Sequence, residues 1–172
     1  MDKINISKII GDYPVGTQVY SPAYGNCYYQ GLEANGAIRL KKFLEGKLVT
    51  LPENGFIDDG GELMLYPSRD MRDWNKFAWK KGDVLWYAYI GFCVFECWAN
   101  GKYTEFYGRY LKVADNGNKD KRKVPTSMWS KICTKKQELE YIADIENQYG
   151  GKLNRYTLEF ETPKSMKDVT ND

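Results

Sequence analysis

A chain of 172 residues that is 42% hydrophobic and 28% charged has the balance of an ordinary globular protein, which excludes disorder throughout. A formal net charge of +2 gives no field that by itself demands a nucleic-acid or membrane partner. There is no histidine, and the four cysteines form no CxxC pair, so zinc and imidazole-base chemistry have almost nothing to use. No metal site and no cofactor are therefore expected.

In chain order, residues 3–12 predict one helical turn with Ile6, Ile9 and Ile10 inward, ending at Gly11. Nothing before it has the apolar length of a signal peptide. Thr17–Ser21 and Tyr24–Ala34 read as strands, the second running to a tight turn at Asn35-Gly36. Ala37–Lys42 and Lys47–Leu51 follow as short strands, and Glu62–Tyr66 closes the first half before Pro67. The next stretch, Leu65–Phe77, predicts a charged strap. Ser68 would cap a helical turn, Trp74 and Phe77 would be pinned in a core, and Arg69, Asp70, Arg72 and Asp73 would stay wet.

The second half repeats the opening of the first. Gly16 aligns on Gly82, Val19 on Leu85, Gly25 on Gly91 and Cys27 on Cys93 without a gap. One deletion later Ala34-Asn35-Gly36 falls on Ala99-Asn100-Gly101. The run Val84–Phe95 is too short to span a membrane, which takes about 20 residues, and reads as buried strand. Phe92–Ala99 should be a central strand, apolar on both faces except at Glu96, and pairs with Lys102–Leu111 across Asn100-Gly101. Cys93 and Cys97 on that strand would stand roughly 13 Å apart, too far for a disulfide, so free thiols in a reducing cytoplasm are expected.

Residues 114–123 read as a long basic loop, and Met128 and Trp129 return the chain to the core. Lys135–Tyr149 is the best helix. Thr134 and Gln137 form a capping box, Gly150-Gly151 terminates it, and Leu139, Ile142, Ile145 and Tyr149 make its apolar stripe. A short hairpin around Asn154-Arg155 and a polar tail over 162–172 complete the chain. The fold expected is mainly β (α+β): two tandem small SH3-like barrels or curled antiparallel sheets, over 1–67 and 80–161, joined by a strap at 68–79. The second is followed by the helix and hairpin.

For chemistry the sequence offers little. Glu96 and the pair Asp58-Asp59 are the only carboxylates worth naming; a sheet-edge or ion-paired role for the first and a solvated turn for the second are the simpler readings. No nucleotide-binding loop or catalytic triad motif is present, so a binding protein is expected and an enzyme is not. Between Asn118 and Lys136 stand seven basic residues against Asp120 alone. Lys119, Lys121, Arg122, Lys123 and Lys131, beside Tyr103 and Tyr107 on the neighbouring strand, form the candidate ligand site. Cations would hold a nucleic-acid backbone or anionic ligand, and rings would stack bases. A merely solubilising loop with core-facing tyrosines is the alternative.

The stretches Gly16–Gly25, Leu65–Phe77 and Lys80–Leu85, with the helix and hairpin Cys133–Leu139 and Gly151–Asn154, resemble small proteins of phages and integrated elements of gut Bacteroides-type bacteria. Relatives of that kind carry Pro-Ala-Thr before the helix and Trp-Asn after it, where this chain has Ile132-Cys133-Thr134 and Leu153-Asn154. No activity attaches to them. The resemblance implies a phage or mobile-element origin and nothing functional beyond it; with the residues read above, the leading expectation is a non-enzymatic accessory binding protein in the host cytoplasm, whose partner is a host protein, a nucleic acid or a small anionic ligand, with no membrane partner. A virion structural or assembly protein docking by strand addition is the second reading, and a carboxylate enzyme the third.

Overall fold

Alternation of buried and exposed residues every second position organises both halves of the chain into sheets. The computed structural model describes residues 4–56, 61–88, 91–110, 120–131, 134–154 and 159–161. They fall into two compact units, one running to Ala78 and including Asn100–Thr104, the other comprising Trp79–Ala99 and the chain from Glu105.

In the first unit, helix α1 (Ile6–Ile10) is capped by the Asn5 side chain, which accepts from the Lys8 N–H, and buries Ile6 and Ile10. Strands β1 (Gln18–Ser21), β2 (Gly25–Leu32), β3 (Ile38–Lys42) and β4 (Leu48–Leu51) form an antiparallel sheet in that order. Val19, Cys27, Tyr29, Ile38, Leu40 and Leu51 point to its buried face. Glu62–Tyr66 is not a strand. It makes two isolated bridges, Leu63 to Phe56 and Tyr66 to Tyr20, because Pro67 stops the ladder one residue beyond the pairing with β1.

The strap folds as expected in its aromatics and differently in its cap. Helix α2 (Trp74–Phe77) is capped by Asp73, whose carboxylate accepts from the N–H groups of Asn75 and Lys76. Ser68 is instead buried, its hydroxyl accepting from the Met71 N–H and donating to the Lys102 carbonyl. Trp74 and Phe77 are buried, while Arg69, Asp70, Arg72 and Asp73 are exposed. The strap belongs with the first unit.

In the second unit, β5 (Val84–Tyr87), β6 (Gly91–Trp98), β7 (Glu105–Tyr110) and β8 (Asp120–Pro125) form another four-stranded antiparallel sheet. Part of the stretch expected as basic loop is thus strand β8, drawn into the sheet because Val124 pairs with Phe106 and both are buried. Strand β6 is central and apolar on both faces for a visible reason. Leu85, Cys93, Phe95, Phe106 and Val124 pack with Trp79 and Trp129, whereas Val84 and Val94 pack with Ile142 and Ile145 of helix α3 (Lys135–Tyr149). The capping box of Thr134 and Gln137 and the left-handed Gly150 bound α3 as the sequence predicts.

Ile142 and Ile145 of the expected stripe of α3 are buried, whereas Leu139 is 53% exposed and Glu138 is buried instead. Tyr141 packs on Phe92 with ring centroids 4.6 Å apart. Strands β9 (Lys152–Asn154) and β10 (Glu159–Glu161) pair as a two-stranded sheet. The turn around Arg155 and the tail lie outside the described residues. Among the described residues β1 does not pair with β4, nor β5 with β8, so neither sheet is a closed barrel.

The same hydrogen bonds recur in both sheets. The Gly16 N–H donates to the Tyr29 carbonyl, and the Gly82 N–H to that of Phe95. Val19 pairs with Cys27 and Leu85 with Cys93; β2 is bulged between Tyr29 and Gly31, β6 between Phe95 and Cys97. Tyr66 bridges β1 as Ser130 bridges β5. Gly16 (φ 96°) and Gly82 (φ 93°) both hold the left-handed turn that starts each sheet. The hairpins diverge only at their tips. The Glu33 N–H donates to the Ala37 carbonyl, whereas the Ala99 N–H donates to that of Glu105, so the second tip is two residues longer than the first.

Candidate functional site

The enlarged tip builds a wall. Tyr103 sits in the left-handed region (φ 57°), unusual for a bulky residue, and is held there because its ring is buried edge-on to Phe77 and its hydroxyl donates to the Gln18 carbonyl at 2.7 Å. The Ser68 hydroxyl ties the strap to the same tip at 2.5 Å. Gly101 lies so close to Gln18 that a Cβ would stand 2.9 Å from its Oε1. Strap, tip and the outer face of β1 and β2 enclose a cleft of about 540 Å³.

Its lining is chemically mixed. Tyr28 and the 58% exposed Phe43 supply rings with centroids 5.9 Å apart, and Gln18 and Asn26 supply side-chain amides. Arg69, Asp70 and Lys102 supply charges. A smaller hollow of about 340 Å³ shares Asn26 and Phe43 and adds Tyr24, whose ring carries the Lys42 ammonium at 4.9 Å. Phe43 is therefore an exposed ring that lines both hollows.

Burial pushes the Tyr103 phenol up to about 12, with the nearby Tyr13 phenol adding to it. The folded protein thus holds this proton more tightly than the unfolded chain. Stability is complete below about pH 10 and falls as pH rises toward 12. Equilibrium unfolding between pH 9 and 12 should show that fall, and Tyr103→Phe should flatten it; an unchanged slope would refute the assignment.

The basic candidate site is distributed differently from its sequence expectation. Lys119 lies outside the described residues, and Lys121 and Arg122 are placed on β8 by backbone alone. Lys123 pairs with Glu105 at 3.3 Å and Lys131 with Asp83 at 3.1 Å. Tyr107 is half-buried on β7. Tyr103 is a core residue of the first unit, so its ring is not an open stacking surface in this structure.

Glu96 lies 3.6 Å from Arg109 Nε, the ion-paired arrangement that was the simpler expectation, and Asp58-Asp59 lie outside the described residues. Among the described residues no cluster of three metal-ligating side chains occurs, and no helix is long and apolar enough to cross a membrane. Cys27 and Cys93 are buried and burial raises both thiols, which keeps them protonated and poor nucleophiles; Cys97 is free and exposed.

No family model matches the chain, and neither a curated protein nor a solved structure matches it. The site must therefore be read from its own geometry. Sequence reasoning missed Tyr28, Phe43, Arg69 and Lys102 as a group because they come from four separate segments. One local signal was present: Phe43-Leu44 puts two large apolar residues in a turn where polar ones are the rule.

Proposed function

We propose that the protein is a non-enzymatic binding protein of phage or mobile-element origin that holds a nucleotide unit in the cleft of its first unit. The observation that carries this reading is the exposed Phe43 ring, which lines both hollows, with Tyr28, Arg69 and Lys102 lining the first and Tyr24 the second. Rings accept the π-faces of bases at about 1–3 kcal/mol each, and flanking cations take phosphates. The shared Phe43 suits successive bases of a single strand. The recurring hydrogen-bond pattern supports a further part of the reading, that the two units are tandem copies of one curled sheet of SH3-like kind. A phage accessory protein of this sort would act in the bacterial cytoplasm.

The test is fluorescence polarisation of labelled single-stranded and duplex oligonucleotides at low and moderate salt, with a mononucleotide as competitor. Micromolar, salt-sensitive binding of single strands is expected, weakened about tenfold or more by Phe43→Ala. Arg69→Ala and Lys102→Ala should each reduce the salt slope by about one. Competition by the mononucleotide would identify a free nucleotide as sufficient. Binding lost with Lys121, Arg122 and Lys123 changed to Ala but kept in Phe43→Ala would move the site to β8. No binding at low salt would remove nucleic acid as the ligand.

A further inference from the structure

The corresponding edges of the two sheets are guarded differently. In each sheet the last strand ends where a buried pair meets a proline: Ile38 opposite Leu51 before Pro52, and Phe106 opposite Val124 before Pro125. Counting back from those pairs, the outer strand of the second sheet carries Lys121, Arg122 and Lys123. Charged residues, lysine above all, are how natural edges refuse another strand. The first sheet has Leu48, Val49 and Thr50 at the same positions, with no charge. Leu48 is 67% exposed, and Leu44 in the preceding turn is 91% exposed.

The backbone of β4 is also available. The Lys42 N–H donates to the Lys47 carbonyl, which makes that opposed pair a hydrogen-bonded one. By alternation along the register, Val49 and Leu51 bond to β3 through Leu40 and Ile38, and Leu48 and Thr50 turn their N–H and C=O groups outward. Among the described residues β4 pairs with β3 alone. The opposite edge of the sheet is partly taken, since Tyr66 bridges β1.

Charge selects what can dock there. Arg39 stands opposite Thr50, and Lys41 opposite Leu48, on the outer face of the sheet; both are exposed, as is Lys47 at the start of β4. None of the three is held in an ion pair among the described residues. Glu45, the acid of the turn, is paired with Lys42 at 3.6 Å. We infer that the β4 edge is a docking site for an extended acidic segment of a partner protein, which adds as a fifth antiparallel or parallel strand. Its carboxylates lie on the outer face toward Arg39 and Lys41, and its alternate apolar residues extend the inner face beside Val49 and Leu51. This rests on the edge alone and is independent of the nucleotide cleft.

The experiment uses the full chain and two synthetic, end-capped, fluorescently labelled eight-residue peptides. One alternates valine with glutamate and the other valine with lysine. Anisotropy should show saturable binding of the glutamate peptide only. Amide hydrogen exchange should slow at Leu48 and Thr50, whose N–H groups face outward, while Val49 and Leu51 are already protected by β3. Leu48→Glu with Thr50→Glu, which sets like charge against the segment's carboxylates, should weaken the peptide at least about tenfold. Thr50→Pro, which removes an outward donor and no bond to β3, should do so at unchanged melting temperature. Absence of binding at millimolar peptide overturns the proposal. So does binding without protection of Leu48 and Thr50. Protection that grows with protein concentration in the absence of peptide also overturns it, in favour of a second copy of this chain.

Discussion

Trp74→Ala is expected to destabilise the first unit by about 3–5 kcal/mol, the range for deleting a large buried aromatic. The indole is 2% exposed and meets Phe77 edge-on at 5.4 Å, so its loss leaves a cavity in contact with a ring that is itself fully buried. Its Nε1–H also donates to the Leu65 carbonyl at 2.8 Å, and alanine leaves that buried acceptor without this donor. Trp74→Phe separates the two effects: it keeps most of the volume and loses the hydrogen bond, for about 1–3 kcal/mol. Urea unfolding followed by circular dichroism measures both. A cost below about 1 kcal/mol for the alanine variant would show that the strap is not anchored by this ring.

In the second unit the largest expected effect is that of Trp129→Ala, again about 3–5 kcal/mol. Trp129 is 1% exposed and packs with Trp79, Leu85, Phe95 and Phe106 on the sheet face that α3 does not cover. It meets Tyr87 at 5.6 Å and Phe106 at 6.3 Å. The chain is fixed beside it, because Ser130 and Trp86 exchange both backbone hydrogen bonds, at 2.8 and 3.1 Å. That restraint limits how far the site can collapse, which is what sets the cost of a cavity. Met128→Ala is the control: half exposed one residue away, it should stay within about 0.5 kcal/mol. Equal effects for the two variants would mean that the return of the chain to the core is not led by Trp129.

These anchors were legible in the sequence because aromatic residues among charges, or beside a proline, have few places to go except a core. The strap's cap was misplaced for a local reason: Ser68 and Asp73 can each cap a helical turn, and the buried contact of Ser68 with Lys102 decides between them. The stripe of α3 was right at Ile142 and Ile145 and wrong at Leu139, because periodicity gives a face about 100° wide and only tertiary packing decides that Glu138 and not Leu139 lies at its buried margin. Strand β8 was hidden by its charges, since the pairing of Val124 with Phe106 outweighs the propensity of lysines for loops.

By itself, then, the sequence determined the β content, the ends of α3, the central place of β6 and the correspondence of Gly16 with Gly82. Each depends on neighbours within a few residues: alternation, caps, and glycines at positive φ. Only the tertiary structure decided the cleft and the open edge. The cleft joins β1, β2, the turn after β3, the strap and a hairpin tip inserted from the other half of the chain, and sequence spacing carries no information about such distant neighbours. The edge is visible only once strand order is known, because the same Leu48-Val49-Thr50 at the centre of a sheet would be ordinary core and at its margin is exposed backbone.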